Sequence, residues 1–277
     1  MKIIKKIIIF LALFFSTVFG FGGRPPPPPP FISGRAEGNL HIPPLFLSES
    51  DTNKVTILAG LSYFTASSID GNIKVEGTNT IQTGKNNLHW NIPQTNLNLG
   101  IDLKAWRNFS FFTEFRISQI KNEIAVSGFN FGLGMFVNIK GNYNVRFDLG
   151  LNYESMNFDS FWQENDSTLQ NRSIDDGYVN PFISLTINTS FKEWIINPFV
   201  QFSYSNQTLF SKKMVGFKPD EVYSDIELFI ITPGITYRMN KTILIIIGAA
   251  AYQIPSGIEN LSNETTLSAF VQINFLL

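Results

Sequence analysis

Phe129-Asn130-Phe131-Gly132-Leu133-Gly134-Met135-Phe136-Val137-Asn138-Ile139, the turn Lys140-Gly141-Asn142, and Tyr143-Asn144-Val145-Arg146-Phe147-Asp148-Leu149-Gly150-Leu151-Asn152-Tyr153 decide the fold. In each half, every second residue is apolar, from Phe129 to Ile139 and from Tyr143 to Tyr153. Strand side chains alternate faces, so each half carries one unbroken apolar row. The opposite row is polar, small or charged, with Phe136 as its large ring. About eleven residues suffice to cross a hydrocarbon core when the strand is tilted. A soluble sandwich is the alternative, but its strands usually run nearer to about six residues. A hairpin with one greasy and one wet face predicts lipid outside and a polar lumen inside.

The same alternation recurs along the chain. It predicts strands near 54–64, 94–105, 109–118, 178–189, 194–205, 226–239, 243–254 and at the C-terminus, besides the opening hairpin. The expectation is an all-β, transmembrane, antiparallel up-and-down barrel of about ten strands, within a range of roughly 8–12. Pro181, Pro198 and Pro233 fall inside predicted strands, where each removes a ladder donor and predicts a bulge. Ile243 to Ala251 is apolar on both faces. Its inward side is expected to pack on a lumen filler, with Gly248 to Ala251 making room.

Connection lengths predict the topology. Short turns centre on Arg107-Asn108, Gly141-Asn142, Phe191-Lys192 and Asn240-Lys241. Longer connections cover 65–93, 119–127, 154–177, 206–225 and 255–265. Outer-membrane barrels keep short turns on the periplasmic side and longer loops outside. An even strand count then leaves both termini periplasmic. Trp106, Tyr143, Trp194 and Tyr237 lie at the short-turn ends, and Tyr63, Tyr153, Tyr204 and Tyr252 at the long-loop ends. Amphipathic rings prefer the bilayer interfaces, so these eight are expected to form two aromatic girdles.

Upstream of the barrel, Lys2, Lys5 and Lys6 precede the apolar run Ile7–Phe15, with small or compact residues at Val18 and Gly20. This predicts a secretory signal peptide over 1–20, an uncleaved anchor being the alternative. Residues 21–53 read as a Pro-rich periplasmic extension, and 54–277 as the barrel. Pro25–Pro30 predicts a polyproline helix, either a stiff tether or a ligand for an aromatic groove. Residues 31–50 read as poorly structured, with a short plug inside the barrel as the alternative. In a cell with two membranes, a Gram-negative-type envelope, an exported barrel belongs in the outer one.

Composition narrows the function classes. The chain has 277 residues, no cysteine and a net charge of -1. Disulfides and thiolate metal sites are excluded, and no basic face points to nucleic acid. The mean hydropathy of +0.05 is too low for a helical membrane protein but suits alternating strands.

On this architecture the chain resembles bacterial outer-membrane β-barrel proteins of the small porin-like kind, over residues 54–277. Such families commonly close on an alternating, aromatic-rich strand with a terminal phenylalanine. Here Ala269-Phe270-Val271-Gln272-Ile273-Asn274-Phe275-Leu276-Leu277 alternates and ends in leucine. The resemblance implies two partners, outer-membrane lipid and the barrel-assembly machinery; a surface ligand at the loops would be a third.

The predicted inward row carries Asp102, Lys104, Glu114, Arg116, Arg146 and Asp148. Charges of both signs across a lumen form either a structural network or a selectivity constriction. A lumen of about ten strands lies near the side-chain-filled end of the range, which favours the network. Phe112, Phe136, Phe199 and Phe270 share the inward rows, and Arg116 with Asp148 is a candidate bridge. Ten-stranded barrel proteases carry an Asp/His site at the rim, but this chain has only His41 and His89. Neither has a recognisable nucleophile or orienting group, so no catalytic, metal or cofactor site is expected. The acidic stretch Glu154, Asp159, Glu164, Asp166, Asp175 and Asp176 reads as a solvated loop, with surface cation binding as the alternative. The leading expectation is a structural or surface-interaction barrel working through its outer loops. A narrow porin for ions or small solutes is the alternative, and a barrel-rim enzyme is distant.

Overall fold

The computed structural model describes residues 32–47, 54–73, 87–120, 122–139, 142–163, 174–191, 194–210, 224–256, 258–259 and 265–277. The strands in chain order are β1 (Ile32–Gly38), β2 (Val55–Phe64), β3 (Ser68–Ile73), β4 (Asn87–Asn91), β5 (Thr95–Trp106), β6 (Phe109–Ile120) and β7 (Glu123–Ile139). They continue as β8 (Tyr143–Gln163), β9 (Ile174–Thr189), β10 (Ile196–Phe210), β11 (Ser224–Arg238), β12 (Ile243–Ser256), β13 (Ile258–Glu259) and β14 (Thr265–Leu276).

Ten of them form a closed antiparallel wall in the order β2-β5-β6-β7-β8-β9-β10-β11-β12-β14. The seam runs between the last and first wall strands, with Ala269 opposite Tyr63 and Phe275 opposite Ile57. Closure leaves the wall no open edge, which a sheet in lipid requires. Each wall strand exposes large apolar side chains outward: Ile57, Leu99, Phe115, Leu133, Leu149, Ile183, Phe202, Ile231, Ile247 and Val271 supply one example from each. Their inward neighbours are buried and mostly polar, as at Asn130, Asn152, Gln201 and Asn274. Such a chain is inside out relative to a soluble barrel, and only a lipid surround makes its outer wall favourable.

The three strand prolines do not produce bulges. Pairing is continuous through Leu151↔Pro181, Pro198↔Ile235 and Val200↔Pro233. On the opposite side each lies where the ladder stops or skips. Pairing of β9 with β10 spans only Phe182 to Asn188 on β9 and Phe199 to Ser205 on β10, and that of β11 with β12 skips from Ile231 to Gly234. The missing N–H therefore falls at a gap, and the register survives.

The ends expected to carry long loops differ from that expectation. β8 has 21 residues and β7 has 17, well beyond the roughly eleven needed to cross. The predicted 119–127 loop is instead a tight turn between Ile120 and Glu123, with Asn122 at a φ of 64°. Asparagine tolerates that left-handed conformation better than most residues. Beyond the wall, β8 continues as one strand of a smaller sheet. β1 pairs with it antiparallel, β4 lies parallel to β1, and β3 and then β13 complete the layer.

Residues 39–47 join no strand, yet Asn39, Leu40, His41, Leu45, Phe46 and Leu47 are all buried. They cross the lumen as a strap. The expected periplasmic extension is therefore corrected for its described portion: residues 35–47 lie in and above the barrel. Leu277, which accepts hydrogen bonds from Lys54 and Val55, is at the short-turn end, whereas Ile32 is at the opposite end. The expectation that both ends of the chain share one side does not hold for the described residues. The signal peptide and the proline run lie outside the described residues.

Candidate functional site

The lumen is where the polar side chains converge, and the strap is what they converge on. Inward amides of the wall donate to strap carbonyls at successive heights. Gln207 reaches Asn39 O (2.9 Å), Asn130 reaches Ile42 O (2.9 Å), Gln201 reaches Pro44 O (2.9 Å) and Gln272 reaches Leu45 O (2.7 Å). Arg116 Nη1 adds a second donor to Ile42 O at 3.0 Å. Gln207 also accepts from His41 N (3.2 Å), and Asn39 Nδ2 donates to Ser127 and Ser118 at 2.6 and 3.1 Å. An extended chain offers carbonyls that a dry lumen would otherwise leave unpaired, and long amides on alternating wall positions reach them. Pro43 and Pro44 suit this segment because neither brings an N–H to satisfy.

Apolar strap side chains fill what remains. Phe46 packs with Leu58, Phe112 and Phe182, and Leu45 and Leu47 pack with Phe199, Leu244, Ile246 and Leu276. The filler expected opposite the apolar inward face of 243–251 is thus the strap itself. Gly248 makes room for Phe270, whose ring would lie 2.6 Å from an added Cβ. A cavity beside the strap, bordered by Ile42, Glu114, Gln201 and Tyr252, has about 30 Å³, room for one or two waters.

The inward charges form two groups. Arg146 holds Asp102 in a two-pronged pair (2.9 and 3.1 Å) and Asp148 through Nε at 2.5 Å. Its guanidinium lies over Phe136, Phe46 and Phe112 with centroids at 4.6, 5.4 and 5.6 Å. Lys104 lies 5.8 Å above the Phe136 ring. Arg116 pairs instead with Glu154 and donates to Asn152 Oδ1 at 2.7 Å, and Glu114 is buried. The expected Arg116–Asp148 bridge is not made. Glu154, read from sequence as part of an acidic loop, is a lumen residue. Parity with Arg146, Asp148 and Asn152 was the signal that would have placed it.

The girdle residues divide. Tyr63, Trp106, Tyr143, Trp194 and Tyr237 are exposed on the outer wall. Tyr153 is half-buried against Phe129 at 5.0 Å, and half-buried Tyr204 meets Glu227 at 3.2 Å. Tyr252 corrects the expectation: it points inward, 1% exposed, against Phe64 at 5.4 Å. Its register beside Ile230 and Thr266, both buried, fixes that face.

The long-loop end is closed by buried Ile69, Trp90 and Met156, with Trp90 Nε1 donating to Gly38 O at 2.9 Å. His89 contacts Asp70 on this partly exposed layer, and His41 lies in the lumen with its ring 4.9 Å from that of Phe182. Among the described residues, no group of three or more His, Asp or Glu has a metal-binding arrangement.

No protein-family model matches the chain, and no curated protein matches it in sequence. Solved structures similar to it include the outer membrane protease OmpT from Escherichia coli, with TM-score 0.43, 9% identity, and coverage of 84% of this chain and 99% of that one. The translocator domain of the autotransporter NalP from Neisseria meningitidis gives 0.37 and 12%, covering 81% and 88%. A Pseudomonas aeruginosa FadL homologue gives 0.36 and 8%, covering 81% and 90%. The closed wall, apolar outside and polar within, makes this chain a membrane-spanning antiparallel β-barrel.

Proposed function

We propose that the protein is a closed barrel with a structural and surface-interaction role, exposing the elements beyond its long-loop end. The observation that carries this reading is the strap, whose carbonyls are held by Gln207, Asn130, Gln201 and Gln272 along the lumen. A solute path would have to break these bonds and the Arg146 group together. Each buried charge left without its partner costs about 3–5 kcal/mol, which opposes a spontaneously open state. The small sheet of β8, β1, β4 and β3 then provides a rigid platform outside the membrane. A narrow porin would need the same polar wall but a free lumen. Osmotic swelling of liposomes carrying the purified protein separates the two. No faster swelling in a small sugar than with empty liposomes is expected; rapid, dose-dependent swelling would establish the porin.

A further inference from the structure

The cavity of about 30 Å³ beside the strap collects oxygens that nothing donates to. Asn98 of β5 and Glu114 of β6 border it on one side, and Gln201 of β10 and Thr232 of β11 on another. In the ring of ten wall strands, β5 and β6 stand opposite β10 and β11, so the cavity reaches across the lumen. Gln201 and Thr232 are register partners, and all four residues are buried. Glu114 Oε1, Asn98 Oδ1, Gln201 Oε1 and Thr232 Oγ1 have no hydrogen-bond partner among the described residues. The amide groups are oriented by their other ends. Asn98 Nδ2 donates to Ser62 Oγ at 3.4 Å, and Gln201 Nε2 to Pro44 O at 2.9 Å. What each leaves over is an acceptor. Buried acceptors in this position call for a ligand that interacts with oxygen alone.

Charge points the same way. Arg146 is bonded to Asp102 and Asp148, and Arg116 to Glu154. Glu114 is the next inward residue on β6 before Arg116, whose guanidinium is already engaged. Arg116, Glu154 and Glu114 therefore set one cation against two carboxylates in a water-poor lumen, where an uncompensated charge is costly.

We propose that this cavity binds one small monovalent cation of the sodium kind, with Glu114 as its charged ligand and Asn98, Gln201 and Thr232 as neutral ones. A water in the same place could donate to two acceptors and would cancel no charge. A cation interacts with every oxygen at once and neutralises Glu114. Carboxylate, amide and hydroxyl oxygens are hard ligands, which exclude the soft metals. A single carboxylate balances a single positive charge, so a divalent ion would leave the lumen with an excess of the opposite sign. The bound ion would tie β5 and β6 to β10 and β11 from within, on the side of the lumen that the strap does not fill.

The test uses the purified full chain in detergent micelles, refolded from urea in sodium chloride or in choline chloride of equal ionic strength. Choline is too large for the cavity, so it reports screening alone. The urea midpoint of the folded band is expected to rise with the logarithm of sodium concentration and to stay flat in choline, as binding to the folded state requires. Equal midpoints in the two salts overturn the site. Glu114→Gln keeps the shape of the side chain and removes its charge. It is expected to fold with a midpoint in choline at least equal to the parent's and to lose the sodium response. A sodium response retained in Glu114→Gln overturns the assignment. Thr232→Val gives an independent reading that leaves every charge in place. Its sodium response is expected to move to higher concentrations, and an unchanged response overturns the ligand set. Calcium chloride on the parent separates the two charge classes: a rise in midpoint at far lower concentrations than sodium needs would overturn the monovalent reading.

Discussion

Arg146 is the residue on which the lumen depends most. It neutralises Asp102 and Asp148 and covers three phenylalanine rings. Arg146→Ala leaves two buried carboxylates without their cation, and an expected loss of roughly 3–5 kcal/mol. A lowered urea midpoint for the folded band in detergent micelles would show it. Leu149, 51% exposed toward lipid, is the complementary case. Leu149→Arg is expected to cost about 2–4 kcal/mol near the bilayer midplane. Assembly indistinguishable from the parent, read as heat-modifiable migration, would refute the face assignment. Asn152 shows why single residues mislead a sequence reading. Its parity places it inward, but its bond to Arg116 depends on which charge group forms around it. Alternation gives the face of a side chain and leaves its height and partner open, so the Arg116–Glu154 pair could not be read.

Among the elements, the wall strands were legible because each repeats one rule, with apolar residues outward at every second position. Their lengths were less so, since the parts of β7 and β8 beyond the membrane carry no lipid-facing row to mark an end. The strap was hardest. It joins no strand, and it meets the wall through both its carbonyls and the consecutive buried side chains Leu45, Phe46 and Leu47, so no periodicity marks it. The only trace lay elsewhere, in the inward apolar residues of β12, Leu244 and Ile246, which needed something to cover them. Phe46 tests the strap as an element. It joins Leu58, Phe112 and Phe182 and lies beneath the Arg146 guanidinium. Phe46→Ala is expected to cost about 3–5 kcal/mol, as for a buried ring in any core. A change near zero in the urea midpoint would mean that residues 39–47 do not occupy the lumen.

At the scale of the whole molecule, closure, filling and sidedness belong together. The wall closes on the strap, the strap fixes where β1 emerges, and β1 extends the sheet at the long-loop end. The number of strands alone predicted a crowded lumen, since barrels of about eight strands are filled and only about sixteen secure an aqueous channel. The strap supplies the crowding from the chain's own N-terminal part. The measurement that tests this most directly is conductance of the purified protein in a planar bilayer. The filled barrel predicts a flat baseline without steady steps across moderate voltages. Regular, long-lived channels of uniform size, altered by Arg116→Ala or Arg146→Ala, would contradict it and assign the lumen to transport.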